Sequence, residues 1–274
     1  MSPEALSETP KGRQRMARAL RRWIIEQSLA SNVGHIGSAL SVTEIMAALF
    51  GGALRDPGTR LAQRDRFILG KGHAALALYG ALRWRGLLDE ATFRTYCGDG
   101  SLLSVHPDHS LAGVDVSTGS LGQGLSIGCG LALAFVRQQN PARVCVLMSD
   151  AEVNEGQVWE AAMLAGHHRL QALRVVLDWN GLQALGQTRQ VIDLDRPAAL
   201  WESVGWDSRE VDGHDIEAVH AAVTTVGAPR PRVVIARTVL GKGVSFMENQ
   251  LDWHYRNLTP ELAERALAEL AAQA

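Results

Sequence analysis

The 274-residue sequence is poor in cysteine, in aromatic residues and in charge of either sign. Its three cysteines lack the paired spacing of a zinc site and the density of a disulfide-stapled secreted domain. They fit a reducing compartment, so we expect the protein in the cytoplasm. The 27 basic residues nearly balance the 29 acidic ones, for a formal net charge of -2. No global field would attract nucleic acid or an anionic membrane, and small molecules or other proteins are the expected partners.

Long hydrophobic runs are also missing. The most apolar stretch, 121–136, contains glycine, glutamine and serine in its first half and is too short to cross a bilayer, so it predicts a buried helix. Basic residues between Lys11 and Arg22 alternate with apolar ones, which indicates an amphipathic helix and not a transit peptide. We expect residues 1–12 to form a flexible leader and residues 13–274 a single domain.

Strand and helix patterns alternate along the chain, which predicts a doubly wound α/β fold with a mainly parallel sheet and helices on both faces. Ser41 and Glu44 have the spacing of a capping box and predict a helix start. The glycine-, serine- and histidine-rich stretch 96–115 and the segment 181–189 are predicted as loops. The predicted strands are 66–69, 143–149, 173–178 and 232–237, and the main predicted helices are 13–30, 41–50, 215–226 and 260–271.

Two polar residues follow neighbouring predicted strands. Asp150 comes directly after 143–149, and Asn180 comes shortly after 173–178. A crossover of this length makes the strands parallel, so their carboxyl ends open on the same edge of the sheet. A carboxylate and an amide oxygen suit a hard cation, Mg²⁺ or Ca²⁺. The sequence therefore predicts a metal site at this edge.

The segment 149–180 as a whole resembles the thiamin diphosphate signature of transketolases, which begins with Gly-Asp-Gly and closes on Asn about thirty residues later. Glu155-Gly156 stands where that family has it. Ser149 and Ala151 replace the usual glycines. The methyl group of Ala151 is expected where the backbone approaches the diphosphate, and alanine tolerates positive φ poorly, so this departure bears on cofactor affinity.

Further motifs carry the same resemblance. Thr118 to Gly124, read as T-G-S-L-G-Q-G, resembles the family segment that lies beside the aminopyrimidine of the cofactor. Three histidine motifs, S-N-V-G-H-I-G, G-K-G-H-A and H-P-D, resemble those of the transketolase amino-terminal half, and D-W-H-Y resembles a fourth that usually continues with glycine. The histidines of these motifs are His35, His73, His106 and His254.

The resemblance implies thiamin diphosphate and Mg²⁺ (or Ca²⁺) as cofactors and a ketose as donor of a two-carbon unit. It implies Asp150, Asn180 and the Leu182 carbonyl as metal ligands. The implied catalytic residues are His35, His73, His106, His254 and Glu155. The implied cofactor-binding residues are His73, Ser120, Leu121, Gly122, Asp150, Ala151, Glu155, Asn180 and His254.

The resemblance covers half of a complete transketolase, from about Arg13 to Tyr255. It implies a split enzyme, in which a second subunit carries the pyrimidine-binding and carboxy-terminal domains. Glu155 would help to join the active sites of two subunits, and the closed assembly would contain two copies of each chain.

Three other functions stay open at this stage. The two-carbon unit could pass to a lipoyl group or a carrier-protein thiol instead of an aldose. The chain could be a cofactor-binding subunit without catalytic activity. A nicotinamide dehydrogenase is disfavoured, because Gly122, Gly124 and Gly128 are spaced one residue too long for the dinucleotide fingerprint.

Overall fold

The computed structural model describes residues 8–273, which contain two sheets. The strands are β1 (Arg66–Leu69), β2 (Val144–Ser149), β3 (Leu173–Trp179), β4 (Leu182–Gln183), β5 (Gly186–Gln187), β6 (Asp207–Asp212) and β7 (Arg232–Arg237). The main sheet has five of these strands, all parallel, in the order β1-β2-β3-β7-β6. Strands β4 and β5 form an antiparallel hairpin directly after β3.

Helices cover both faces of the main sheet. They are α1 (Pro10–Ser31), α2 (Ile36–Ser41), α3 (Thr43–Ala48), α4 (Ala75–Trp84), α5 (Glu90–Phe93), α6 (Gln123–Arg137), α7 (Gly156–His167), α8 (Thr188–Val191), α9 (Pro197–Ser203), α10 (Ile216–Thr224) and α11 (Pro260–Ala272). No helix within residues 8–273 has the length and apolar character needed to cross a membrane.

The strand alternation divides the buried residues into two cores. Leu147 on β2 and Val176 on β3 are paired in register and face one core, which they share with α1, α3 and α4. Their neighbours Val146 and Val175 are likewise paired and face the other core, with α6, α7 and α9. Side chains of successive strand residues point to opposite faces, so strands buried on both sides must be apolar at nearly every position.

The predicted fold class and the four predicted strands are confirmed, with boundaries within one residue. Strand β6 and the β4–β5 hairpin were not predicted. Strand β6 is an edge strand of sequence D-S-R-E-V-D with no apolar run to mark it. Helix α1 begins at Pro10, where Thr9 caps it, and not at Arg13. The first seven residues of the expected leader lie outside the described residues.

The capping box predicted at Ser41 is wrong. Ser41 is the last residue of α2, and α3 begins at Thr43. The Ser41 hydroxyl is buried and donates a hydrogen bond of 2.6 Å to Asp178, at the end of β3. Glu44 forms ion pairs with Arg21 and His214 instead of bonding back to the backbone of the predicted cap. Tertiary partners distant in sequence therefore replace the local capping pattern.

The packing of α7 against the turn that follows α9 leaves no room at Gly166. A Cβ atom there would lie 1.8 Å from the carbonyl oxygen of Val204. We predict that Gly166→Ala lowers the free energy of unfolding by about 1–3 kcal/mol, because the backbone must shift to accept the methyl group. The matched control is Gly130→Ala on α6, where a Cβ atom meets nothing within 4 Å.

Gly130→Ala should leave stability unchanged or raise it by up to about 1 kcal/mol, since alanine has the higher helix propensity. Urea denaturation of both variants measures the difference. Equal stability of the two variants would contradict the close approach at Gly166.

Candidate active site

A cavity of about 400 Å³ opens at the carboxyl edge of the main sheet. The predicted site residues that line it are His35, His73, Leu121, Asp150, Ala151, Glu155, Asn180, Leu182 and His254. Three predicted residues do not line it. His106 contacts the ring of His73, and Ser120 and Gly122 flank Leu121 in the chain. Residues that are far apart in sequence are thus brought to one place.

Asp150 follows β2 directly and is 1% exposed. Its Oδ2 atom accepts hydrogen bonds of 2.8 Å from the backbone N–H of Gly181 and from the hydroxyl of Thr188. Its Oδ1 atom is buried without a hydrogen-bond partner. Burial raises the pKa of Asp150 to about 6, and the charge of Asp178 adds to this effect. A buried carboxylate oxygen without a donor fits an electropositive ligand such as a divalent cation.

Asn180 lies at the same edge, directly after β3. Its Nδ2 atom donates to Asp178 Oδ2 at 3.1 Å and to Ser41 Oγ at 3.3 Å. Its Oδ1 atom accepts a bond of 2.9 Å from the N–H of Leu182. The backbone N–H of Asp150 donates to the Asp178 carbonyl at 3.2 Å, which ties the ends of β2 and β3 together. Asp150, Asn180 and Leu182 therefore line the same cavity.

Asp178 is a fully buried carboxylate that sequence analysis did not single out. It forms an ion pair with Lys71, and the hydroxyls of Ser41 and Thr238 also donate to it. Burial acts to raise the pKa of Asp178, but the Lys71 ammonium and the hydroxyl donors outweigh it and hold the pKa below its usual value. Asp178 thus stays charged and connects the ends of β1, β3 and β7.

Four histidines lie close together at the cavity, where His35, His73 and His254 line it and His106 contacts the ring of His73. The ring centroids of His35 and His73 are 4.8 Å apart, and those of His73 and His106 are 4.5 Å apart. The Tyr255 ring lies 5.5 Å from that of His35 and also contacts the ring of His254. The four motif histidines, which are far apart in sequence, are therefore neighbours in the folded chain.

Burial keeps these imidazoles neutral. Together with the charges of the neighbouring histidines and Lys71, it lowers the pKa of His73 and His254 to about 4. Burial also lowers the pKa of His35 and His106. A neutral imidazole donates at one nitrogen and accepts at the other. The buried ring nitrogens without a partner are His35 Nδ1, His106 Nε2 and His254 Nδ1.

The turn that carries His35 depends on a close backbone approach. His35 has a left-handed φ of 63°, and its N–H donates to the His254 carbonyl at 3.1 Å. A Cβ atom at Gly34 would lie 2.6 Å from the Tyr255 carbonyl oxygen. Glycine at position 34 therefore allows the first and the fourth histidine motifs to pack together.

The segment before α6 also needs its glycines. Gly119 has a φ of 150°, and a Cβ atom there would lie 3.1 Å from the His106 ring. Gly122 has a φ of 86°, and a Cβ atom there would lie 2.8 Å from the Cβ of Glu155. Both residues combine positive φ with close contact, which explains the first two of the three glycines in the T-G-S-L-G-Q-G motif.

Glu152 is a second buried carboxyl group that sequence analysis missed. It accepts hydrogen bonds from the N–H of Ser149 at 2.8 Å and from the N–H of Gly122 at 3.1 Å. A Cβ atom at Gly70 would lie 2.7 Å from it. Burial raises its pKa to about 7, against the effect of these bonds. An acidic residue near a helix start is ordinarily an exposed partner of the helix dipole, so the sequence held no signal for this role.

Ala151 does not adopt the positive φ that alanine tolerates poorly. Ala151 has a φ of −63° and a ψ of −36°, a right-handed helical conformation open to any residue. Its methyl group lines the cavity. The replacement of glycine at this position therefore changes the space available to a ligand and not the backbone conformation.

The amino-acid sequence matches a known protein family and several of its members. Residues 12–269 match the family model described as transketolase, thiamine diphosphate binding domain. A 6-deoxy-6-sulfo-D-fructose transketolase subunit, SqwG, of Clostridium sp. (strain MSTE9) is 36% identical over 97% of this chain and 98% of its own length. An apulose-4-phosphate transketolase subunit of Phocaeicola vulgatus is 34% identical over 92% of this chain and 91% of its own length.

Solved structures give the same result. The transketolase of Campylobacter jejuni superposes with a TM-score of 0.84 at 25% identity, and the match covers 99% of this chain and 43% of that one. The transketolase of Leishmania mexicana gives a TM-score of 0.86 at 25% identity, with 94% and 41% covered. The chain therefore spans less than half the length of these enzymes.

The histidine cluster predicts a pH dependence of stability. The folded pKa of His73 and of His254 is about 4, whereas histidine in an unfolded chain titrates near about 6.5. Between these values the unfolded state binds more protons, so the contribution of the two imidazoles to the free energy of unfolding falls as the pH drops. Replacing His73 with Asn should therefore make the free energy of unfolding fall less steeply as the pH drops.

Asp150 and Glu152 contribute with the opposite sign, because burial raises their pKa values. The comparison between variants isolates the histidine effect. Urea unfolding between about pH 4.5 and 7 measures it, with His168→Asn, at the exposed end of α7, as the control. A stability slope that is the same for His73→Asn and wild type would show that His73 is not held neutral.

Proposed function

The chain belongs to the transketolase family as a thiamine diphosphate binding domain, and from that premise we propose that it is the diphosphate-binding subunit of a two-chain enzyme. This enzyme cleaves a ketose or ketose phosphate and transfers a two-carbon ketol unit to an aldose acceptor. One observation carries the proposal. The Oδ1 atom of Asp150 is buried beside Asn180 and Leu182 with no donor, where a cation between protein and diphosphate would satisfy it.

The donor atoms suit Mg²⁺ or Ca²⁺. Asp150 would supply a carboxylate oxygen, Asn180 its carboxamide oxygen and Leu182 its backbone carbonyl. Within residues 8–273 no three side chains of His, Cys, Asp or Glu converge on one metal position. A cation at this edge would therefore take its remaining oxygens from the diphosphate and from water, as Mg²⁺ commonly does.

The remaining predicted residues surround the space for the cofactor. Ala151 lies in the turn after β2 and lines the cavity, on the side that we assign to the diphosphate. Leu121 lines the cavity on the side that we assign to the aminopyrimidine, and Ser120 and Gly122 flank it in the chain. His73 and His254 line the cavity between these two regions. We assign cofactor contacts to these residues.

Thiamin diphosphate, when bound, supplies a carbon nucleophile that opens the carbon–carbon bond of the ketose. The histidines of this chain would hold the donor and move its protons. His35, His73 and His106 are adjacent and neutral, so each can donate to one hydroxyl group and accept from another. His35 Nδ1 and His106 Nε2 have no hydrogen-bond partner within the described part of the chain.

A second chain would complete the active site. Two relatives that match almost end to end are named as transketolase subunits, and the chain covers 43% of one complete transketolase. Large apolar side chains are exposed at the cavity mouth, where Leu185 is 83%, Ile192 50% and Tyr255 63% exposed. Such a rim suits coverage by a partner that carries the pyrimidine-binding and carboxy-terminal domains. Glu155, exposed beside the cavity, would lie at the junction, with two copies of each chain in the assembly.

The metal assignment predicts a loss of cofactor binding in two variants. Asp150→Ala and Asn180→Ala should each abolish Mg²⁺-dependent binding of thiamin diphosphate, because each removes a ligand oxygen while the sheet retains its core. Isothermal titration calorimetry of the chain with thiamin diphosphate, with and without Mg²⁺, measures this. Asp99→Ala, on an exposed loop, is the control and should bind like wild type. Affinities unchanged in both site variants would refute the metal assignment.

The two-chain proposal predicts that this chain alone transfers no ketol unit. Mixing it with the second subunit should restore ketose cleavage and saturate at a one-to-one ratio, because the partner supplies the pyrimidine-binding half of each site. Titration of one chain against the other, read out by product formation, measures the stoichiometry. An Asp150→Ala chain in the same mixture is the control and should stay inactive.

Full two-carbon transfer by the isolated chain, with contaminating transketolase excluded, would overturn the two-chain proposal. Analysis of the product identifies the acceptor. A ketose product would show that the acceptor is an aldose. An acylated lipoyl group or carrier-protein thiol would show that the acceptor is that group instead.

A further inference from the structure

The two oxygens of the Asp150 carboxylate have different surroundings. Oδ2 accepts two hydrogen bonds of 2.8 Å, one from the Gly181 backbone and one from the Thr188 hydroxyl, whereas Oδ1 accepts none. The carboxylate is 1% exposed, so no bulk water compensates this difference. The chain itself therefore determines which oxygen remains for a ligand.

Thr188 reaches Asp150 because the β4–β5 hairpin folds back over the end of β3. Its side chain is buried, with 4% exposure, at the first residue of α8. Its backbone N–H donates to the Gly181 carbonyl at 2.9 Å, which closes the loop from 181 to 188. The hairpin has a second anchor, since Gln183 Nε2 donates to Asn154 Oδ1 at 2.7 Å.

We propose that Thr188 is a positioning residue that holds the Asp150 carboxylate with Oδ1 directed at the bound cation. The inference rests on the proposed function, in which Asp150 is a metal ligand. Two donors on Oδ2 fix the rotation of the carboxylate and occupy one of its oxygens. Outer partners of this kind orient metal ligands, and their loss typically weakens metal binding by about 10–100-fold.

The hydroxyl can be removed without detaching the hairpin. Valine has the shape of threonine but no donor, so Thr188→Val leaves Oδ2 with the Gly181 bond alone and frees the carboxylate to rotate. The backbone bond from residue 188 to Gly181 and the Gln183–Asn154 bond both remain. Thr188→Ser restores the donor and tests whether the hydroxyl is the active feature.

The experiment titrates MgCl₂ into the full chain with thiamin diphosphate present, by isothermal titration calorimetry. We expect Thr188→Val to weaken Mg²⁺ binding by about tenfold or more and Thr188→Ser to stay within about twofold of wild type. Thr43→Val is the control, because Thr43 is also buried but its hydroxyl bonds only to backbone carbonyls of Ala39 and Leu40. It should leave Mg²⁺ affinity unchanged.

Thermal unfolding without Mg²⁺ separates positioning from stability. A loss of affinity in Thr188→Val with a melting temperature no lower than that of Thr43→Val supports the proposal. Unchanged affinity in Thr188→Val, or an equal loss in Thr188→Ser, would overturn it. Asp150→Ala separates a failure of the role of Thr188 from a failure of the metal assignment. If it abolishes Mg²⁺ binding while Thr188→Val does not alter it, the role of Thr188 alone is wrong, and if neither has an effect, the metal assignment is wrong as well.

Discussion

The charge of Asp178 is the constraint on which the carboxyl edge of the sheet depends. A carboxylate with no exposure is strongly unfavourable unless cations and donors compensate it. Here Lys71 comes from the end of β1, Thr238 from the end of β7 and Ser41 from α2, and all three converge on one side chain. Asn180 then bonds to the same carboxylate. The need to satisfy one buried charge thus fixes the relative positions of three strand ends and of a candidate metal ligand.

The other buried titratable groups of the cavity are displaced towards their neutral forms. Burial raises the pKa of Asp150 to about 6 and that of Glu152 to about 7, and it lowers the pKa of His73 and His254 to about 4. His73 and His254, which line the cavity, are therefore neutral at pH 7. A cation and a diphosphate that enter together bring nearly compensating charges of their own. The cation would also stabilise the ionised form of Asp150, so metal binding releases any proton held there.

The sequence predicted those features that short-range patterns determine. Strands β2 and β3 are nearly continuous apolar runs, and a polar residue at the end of each placed Asp150 and Asn180 at one edge. Strand β6 escaped prediction because an exposed edge strand needs no apolar run. Ser41 was misassigned because its partner Asp178 is 137 residues away, and no local pattern carries that information. Helix capping and tertiary hydrogen bonding compete for the same hydroxyl, and burial beside a charge decides the outcome.

Ser149 and Ala151, which replace the glycines of the family signature, change the space in the cavity and require no backbone conformation that is reserved for glycine. Ser149 accepts a bond from the Glu152 N–H at its hydroxyl, while its own N–H donates to the Glu152 carboxyl group. Ala151 adopts a helical conformation and begins the short turn Glu152–Asn154. This turn is therefore held in part by a hydroxyl that glycine at position 149 would lack, and its backbone needs no positive φ. Any cost to cofactor binding would then come from the volume of the side chains at positions 149 and 151, because Ser149 and Ala151 both line the cavity.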